Sequence, residues 1–468
     1  MLLTLCLALQ APAAPAAPAA PAAAQDPLAA ERAVVARIFE RELGDGRSYA
    51  ILAGLLEAAP NRLSGSEGAA RAVEWCRAEF DRHGLDAVRL EKVMVPHWVR
   101  GEKNSLHRVG DAKPIPMLSL GGSVGTPQGP LEAEVVEIKS RDELAKLGER
   151  AKGKFLFFNQ PMDPRQTNTF RAYGGAVWQR GSGAIEAAKV GAVGAIVRSM
   201  TLDLDDFPHT GAMRYDEKVP KVPGVAISTL AAEALSRELA GGKAVRLRLD
   251  LSCETLPDVE SANVVAEIRG REKPDEVVVI GAHLDAWDAS PGAHDDGAGC
   301  AQVIEALRVL RALDLKPRRT IRAVLFMNEE NGLRGGQGYA KQHEHELEHH
   351  VFALETDRGG FAPRGIGAVP VMHAELAPLV GLMEPWGCGT LFDGDGGADI
   401  SPMGPAGVPL GELLPEDARY FDCHHSGRDT LAAVDQRELE LGAAAVAATA
   451  YLVADFAGTW PRAKVETR

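Results

Sequence analysis

The chain has 468 residues, with 51 Lys+Arg against 65 Asp+Glu for a net charge of −14, and 46% of it is hydrophobic. That content excludes disorder for the bulk of the chain, and at roughly 100–200 residues per domain the length suits two or three domains. The acidic balance argues against nucleic acid, whose binding needs clustered positive charge, and is compatible with divalent metals.

Residues 1–10 form a short apolar run, and an Ala/Pro-rich stretch follows to residue 24. Together, 1–24 read as an export signal and linker, which predicts a secreted or periplasmic mature protein. The run is too short to span a bilayer, and no later stretch approaches the roughly 18 apolar residues of a membrane helix. Without Cys6, the cysteines are Cys76, Cys253, Cys300, Cys388 and Cys423, an odd number that leaves at least one thiol free. None forms a C-x-x-C pair, which sets aside a thiolate zinc site. Apolar residues at helical spacing mark 28–56 and 69–83, the second ending at Gly84. From about Gly121 the texture changes. Short β-rich runs (133–138, 154–158, 193–197, 222–227, 245–251) alternate with helical ones (142–147, 184–190, 231–239). This predicts an inserted domain over 125–255, between an N-terminal part of the main domain at 25–124 and the main domain proper at 256–468.

After Pro257 the pattern turns α/β. Stretches 262–268, 277–280 and 320–326 read as strands, the second a continuous β-branched run suited to a buried parallel position. Between the last two, Val303, Ile304, Leu307 and Leu310 recur at helical spacing. Strand, helix and strand in this order predict a right-handed βαβ unit in a mainly parallel sheet. Such sheets bind ligands at the carboxyl ends of their strands. There the sequence places His283 and Asp285 (GAHLD), Asp295 and Asp296 (AHDDG), Glu329 and Glu330 (NEEN), and Asp357 after the apolar run 351–354. A last cluster, CHHSGRD, carries His424, His425 and Asp429 after the β-like stretch 408–414.

Imidazoles with several carboxylates are zinc-type ligands, and one shared carboxylate can hold two ions about 3.5–4 Å apart. Each piece alone has a plainer explanation. Asp295 and Asp296 could cap the following helix, Glu329 and Glu330 could be an exposed strand end, and His424 and His425 could be surface histidines. Their common placement at one sheet edge is what points to a metal site. A competing pattern is His345-Glu346-x-x-His349, which matches the zincin H-E-x-x-H. Residues 341–350 contain a single Leu, so no apolar stripe would hold such a helix in a core, and the segment is read as a solvated helix or loop. Residues 335–338 (GGQG) lack the lysine of a phosphate loop and are read as a turn.

The segments GAHLDAWD, GAHDDGAGC, MNEENG, ALETDRGG, GGADISPMGPAGVP and YFDCHHSGRDT, in this order and spacing, resemble the M28 metallopeptidases. The resemblance runs from about Gln25 to the C-terminus, and AIEAAKVGAVGAIVRS and PHTG make the insert similar to a protease-associated (PA) domain. It implies an α/β, three-layer fold around a mixed, largely parallel central sheet, with a β-rich PA insert and two zinc ions per chain. By motif position, His283 would hold one ion, Asp295 would bridge both, Glu330 and Asp357 would each complete one ion's shell, and His425 would hold the second. Glu329 would be the general base, moving a proton from water to the leaving amine. Asp285 would orient His283 by accepting its free ring N–H. The Asp295–Asp296 peptide would be cis. His424 stands where many relatives carry Tyr and would be either an oxyanion donor or a packed histidine. The implied activity is hydrolysis of dipeptides or short peptides whose free terminus is read near Asp399 and Tyr420, by an enzyme that forms a homodimer. Two alternatives are a single-zinc, glutaminyl-cyclase-like transferase and a binding protein that has kept the fold without metals. Against them stand Asp295 with both His283 and His425, and a complete ligand set.

Overall fold

The structure is a computed structural model that describes residues 26–126 and 128–463; the expected export segment and Cys6 lie outside the described residues. Two β-sheets organise the chain. The larger has eight strands, in the order Ala87–Val99, Glu254–Ile268, Arg319–Phe326, Lys273–His283, His350–Glu355, Leu410–Pro415, Pro363–Ala368 and Thr390–Asp393. The four from Arg319–Phe326 to Leu410–Pro415 are parallel, and the strands flanking them pair antiparallel. The expected parallel pair is present, with Val278 opposite Ile321, and helix Ala298–Ala312 connects its strands.

Strand periodicity explains the layers. Val278, Ile280 and Ala282 point to one face, where helices Ala29–Asp45, Ser48–Ala58, Ala298–Ala312 and Gln436–Asp455 cover them. Val277 and Val279 point to the other and pack with Tyr339 and Met403. Both faces are therefore dry, and each buried aliphatic side chain contributes roughly 1.5–3 kcal/mol. The result is the expected three-layer α/β arrangement around a mixed sheet.

The second sheet has seven strands, in the order Asn104–Arg108, Arg246–Leu251, Leu131–Ile138, Phe155–Phe158, Gly194–Arg198, Gly224–Ile227 and Met117–Ser119. Phe155 and Phe157 bury on one face and Leu156 and Phe158 on the other, giving it two hydrophobic cores of its own. It takes in Asn104–Arg108 and Met117–Ser119, ahead of residue 125; these edge strands are too short for alternation to register in sequence.

Some local readings change. The helical stretch 28–56 is two helices, because Gly46 leaves the helix at φ −67° and ψ 151°. Residues 335–338 are not a turn but part of helix Arg334–Gln342. There a Cβ on Gly336 would stand 2.2 Å from the carbonyl oxygen of Asp399, so the glycine serves close backbone approach rather than turning. His345 and His349 are exposed in a turn and a single 3₁₀ turn, Leu347–His349, while Glu346 pairs with Arg322 at 2.8 Å. Cys76, Cys253, Cys300, Cys388 and Cys423 are all free and buried. Among the described residues, no helix is long and apolar enough to cross a membrane.

Candidate metal centre

Parallel strands present their carboxyl ends on one edge, and that is where the predicted residues meet. Strand Lys273–His283 ends on His283, and the chain after it carries Asp295 to the head of helix Ala298–Ala312. Strand Arg319–Phe326 runs out into Glu329 and Glu330, and His350–Glu355 into Asp357. His424 and His425 follow the short helix Tyr420–Cys423.

Asp295 lies at the centre. Its Oδ1 is 3.1 Å from His283 Nε2, which in turn is 3.5 Å from Asp357 Oδ1. Its Oδ2 is 3.2 Å from His425 Nε2, which is 3.0 Å from Glu330 Oε2. Two half-sites thus share one carboxylate, with one oxygen facing each imidazole. Asp295 Oδ2 is buried and makes no hydrogen bond among the described residues, although His425 Nε2 lies within ion-pair reach. An unpaired buried carboxylate oxygen is costly, and a cation between the imidazoles would satisfy it. The donors, imidazole nitrogen and carboxylate oxygen, are those zinc takes.

Ligand-capable atoms of Asp295, His424 and His425 lie within 4.8 Å of one another, as do those of His283, Asp296 and Asp357. Asp296 is engaged otherwise. Its Oδ2 accepts from the main-chain N–H of His283 (3.1 Å) and its Oδ1 from that of Gly299 (3.0 Å). Of the two aspartates it is therefore Asp296 that caps the helix, while Asp295 turns inward. The peptide between them is cis.

The electrostatics follow from this crowding. Burial by itself would lower the pKa of His283, but Asp357, Asp295 and Asp296 outweigh it and hold the ring well above its free value. Burial raises Glu329 and, with repulsion from Asp357, Glu330 and Asp295 added, prevails over the pull of His283, so its carboxyl stands well above the ordinary range. His425 is held at φ 60°, the left-handed region that a β-carbon disfavours, which is local strain at the site.

The outer ring nitrogens decide which nitrogen faces inward. His283 Nδ1 is 3.0 Å from the main-chain carbonyl of Asp285, which can only accept, so Nδ1 is held as a donor and Nε2 is the nitrogen left to face the centre. His425 Nδ1 faces the Thr210 carbonyl, from the second-sheet body, at 3.4 Å. The expectation for Asp285 is corrected here. Its carboxylate is 3.9 Å from His283 Nδ1 and instead accepts from the main-chain N–H groups of Asn328 (2.7 Å) and Glu329 (3.0 Å). Two residues apart on one chain, the ring reaches the carbonyl of residue 285 first, and the neighbouring strand end occupies the carboxylate. Asp285 thus orients His283 through its main chain and positions Glu329 through its side chain.

A match to Peptidase family M28 covers residues 263–450. Carboxypeptidase Q of Xenopus laevis is 38% identical over 418 residues, spanning 89% of this chain and 87% of its own. The chain belongs to peptidase family M28. Human carboxypeptidase Q is 36% identical over the same shares of both chains. Among solved structures, the Peptidase M28 precursor from Shewanella amazonensis SB2B has a TM-score of 0.88 at 35% identity, covering 92% of this chain and 98% of that one. BSAP, a zinc aminopeptidase from Bacillus subtilis, shares the fold at a TM-score of 0.65 and 19% identity, covering 90% of this chain and 96% of its own.

Other residues complete this M28 metallopeptidase's site from distant segments, and two of them, Arg180 and Thr210, carry no local signal in the sequence. Asp429 accepts from the main-chain N–H groups of His294 (2.6 Å) and Asp295 (3.1 Å), fastening the bridging residue from across the fold. Thr210 and Arg180 reach His425 from the second-sheet body. Asp399 is buried with neither carboxylate oxygen hydrogen-bonded among the described residues, and burial, with Glu355 and Glu329 beside it, holds its pKa well above the usual range. Tyr420 is buried, its ring stacked 5.2 Å from that of Phe170. His424 stacks on His425 with 3.5 Å between ring centroids, and its Nε2 is 3.9 Å from Asp295 Oδ2. Burial, reinforced by His425, pushes the pKa of His424 well below its free value, so the ring is neutral.

Proposed function

We propose that the chain is a di-zinc exopeptidase that hydrolyses dipeptides or short peptides. The observation that carries this reading is the shared Asp295 carboxylate, each of whose oxygens faces one inward-directed imidazole. His283, Asp295 and Asp357 would hold one ion, and His425, Asp295 and Glu330 the other. Such a pair of ions supplies Lewis acidity toward the scissile carbonyl and lowers the pKa of the attacking water.

The chain's own groups do the rest. Glu329, whose main chain Asp285 pins, accepts the proton of the attacking water and passes it to the leaving amine; burial, which raises its proton affinity, suits that task. The neutral His424 ring is placed to donate to the carbonyl oxygen as negative charge develops there. His424→Gln is therefore expected to lower kcat by about 10²-fold at unchanged metal content. An unchanged kcat would leave His424 a packing role only.

The second-sheet body, which supplies the Thr210 carbonyl to His425, is in this reading a protease-associated insert that completes the site. The apolar run and Ala/Pro stretch ahead of residue 25 support export, which N-terminal sequencing of the mature protein checks. Sedimentation of the same sample checks the homodimer that the resemblance implies.

Metal analysis and a panel of unsubstituted dipeptides test the main reading on the purified protein, with His345→Ala beside wild type. About two zinc ions per chain, turnover of dipeptides and no change in His345→Ala are expected. One ion without peptidase activity would favour the cyclase-like alternative, and no ion the binding protein. Loss of activity in His345→Ala would move the centre to the H-E-x-x-H segment.

A further inference from the structure

Arg180 enters the centre from helix Trp178–Lys189 of the second-sheet body. Its Nη1 is 3.3 Å from His425 Nδ1 and 3.4 Å from the Thr210 carbonyl, and its Nε is buried with no hydrogen-bond partner among the described residues. The residue is only 9% exposed, and among the described residues no carboxylate lies within ion-pair distance of it. The other arginines around the site are engaged. Arg62 donates to the carbonyls of Leu284 (2.7 Å) and Gly292 (2.8 Å), Arg358 to Glu412 (2.7 Å), Arg100 to Asp288 (3.0 Å) and Arg428 to Asp205 (2.9 Å).

His425 is an imidazole and supplies no negative charge to balance the guanidinium, whichever ring nitrogen carries the proton. The other neighbours of Arg180 are the Thr210 carbonyl and the face of Tyr173, 5.4 Å from its guanidinium carbon, so among the described residues no anion balances this buried cation, and an uncompensated buried charge is costly. On the opposite side of the centre the charge is reversed. A cavity of about 210 Å³ beside Asp357 is lined by Glu355 and Glu412 as well, and the one cation there, Arg358, is neutralised by Glu412. The site is thus polarised, with acid beyond Asp357 and an unneutralised guanidinium beside His425.

We infer that Arg180 determines specificity by binding the free C-terminal carboxylate of the substrate, the planar guanidinium matching a carboxylate through paired N–H donors. This rests on the peptidase reading above.

The test compares a dipeptide with its C-terminal amide on the zinc-loaded protein. Wild type is expected to favour the free acid about tenfold to a hundredfold in kcat/KM, the range of a charge-assisted hydrogen bond. Arg180→Met is expected to erase that preference, chiefly through KM on the acid. Binding of the same dipeptide to Glu329→Gln protein, read by calorimetry, is expected to weaken by a similar factor when Arg180→Met is added. Should Arg180→Met not fold, Arg180→Gln, close in length and uncharged, gives the same comparison. A wild type that does not distinguish acid from amide, or a preference that survives in both Arg180 variants, overturns the inference and leaves the peptidase reading standing. A wild type that hydrolyses neither substrate overturns both.

Discussion

Glu329→Gln is expected to lower kcat by about 10²–10⁴-fold, the usual worth of a positioned general base, while about two zinc ions stay bound. The separation of the two readouts is the point of the experiment. Glu329 is adjacent in sequence to Glu330, whose Oε2 sits 3.0 Å from His425 Nε2, yet the inward-facing pairs around Asp295 are made by Glu330 and Asp357 and not by Glu329. The main-chain N–H of Glu329 donates to Asp285 Oδ1 at 3.0 Å, and that anchor does not depend on the side chain being charged. Glutamine therefore keeps shape and placement and removes only the capacity to take up a proton. Loss of the ions together with activity would make Glu329 a ligand rather than a base. Full activity would remove it from the chemistry.

Asp295→Asn is expected to lose both activity and metal. Among the described residues the carboxylate is the only group that touches both half-sites, so an amide, which offers one acceptor oxygen and a nitrogen that repels a cation, weakens both at once. The fold itself should survive, because the contact with Asp429 is made by the main-chain N–H of residue 295. The second readout is thermal. At zinc a hundredfold above its dissociation constant, a single site stabilises the native state by about 2.7 kcal/mol, or about 3–4 °C in Tm for a chain of this size. Wild type should show that zinc-dependent rise and Asp295→Asn should not. An equal rise in both proteins would place the ions elsewhere.

The features legible in the sequence are those that depend on near neighbours along the chain. The continuous apolar run from Val277 to Ile280 predicts a strand buried on both faces, and the helical spacing from Val303 to Leu310 a helix packed on one of them. Strand, helix and strand then bring His283, Asp295, Glu330 and Asp357 to one edge, because parallel strands share a direction. The same logic dismissed His345 and His349, which lack an apolar face and are exposed.

What the sequence did not contain is any arrangement made by atoms distant along the chain or by the main chain. Composition shows that residue 285 is an aspartate, but its side chain serves Asn328 and Glu329 while its carbonyl serves His283. GGQG reads as a turn until Gly336 is seen against the main chain of Asp399. Arg180 and His425 are 245 positions apart, and Thr210 and His425 are 215 apart. Local sequence specifies periodicity, hence elements and the residues at their ends. Which of those ends touch, through which atom, and which buried charge is left without a partner are settled only when separate segments pack, since hydrogen bonding and desolvation act over a few ångströms of space and not along the chain.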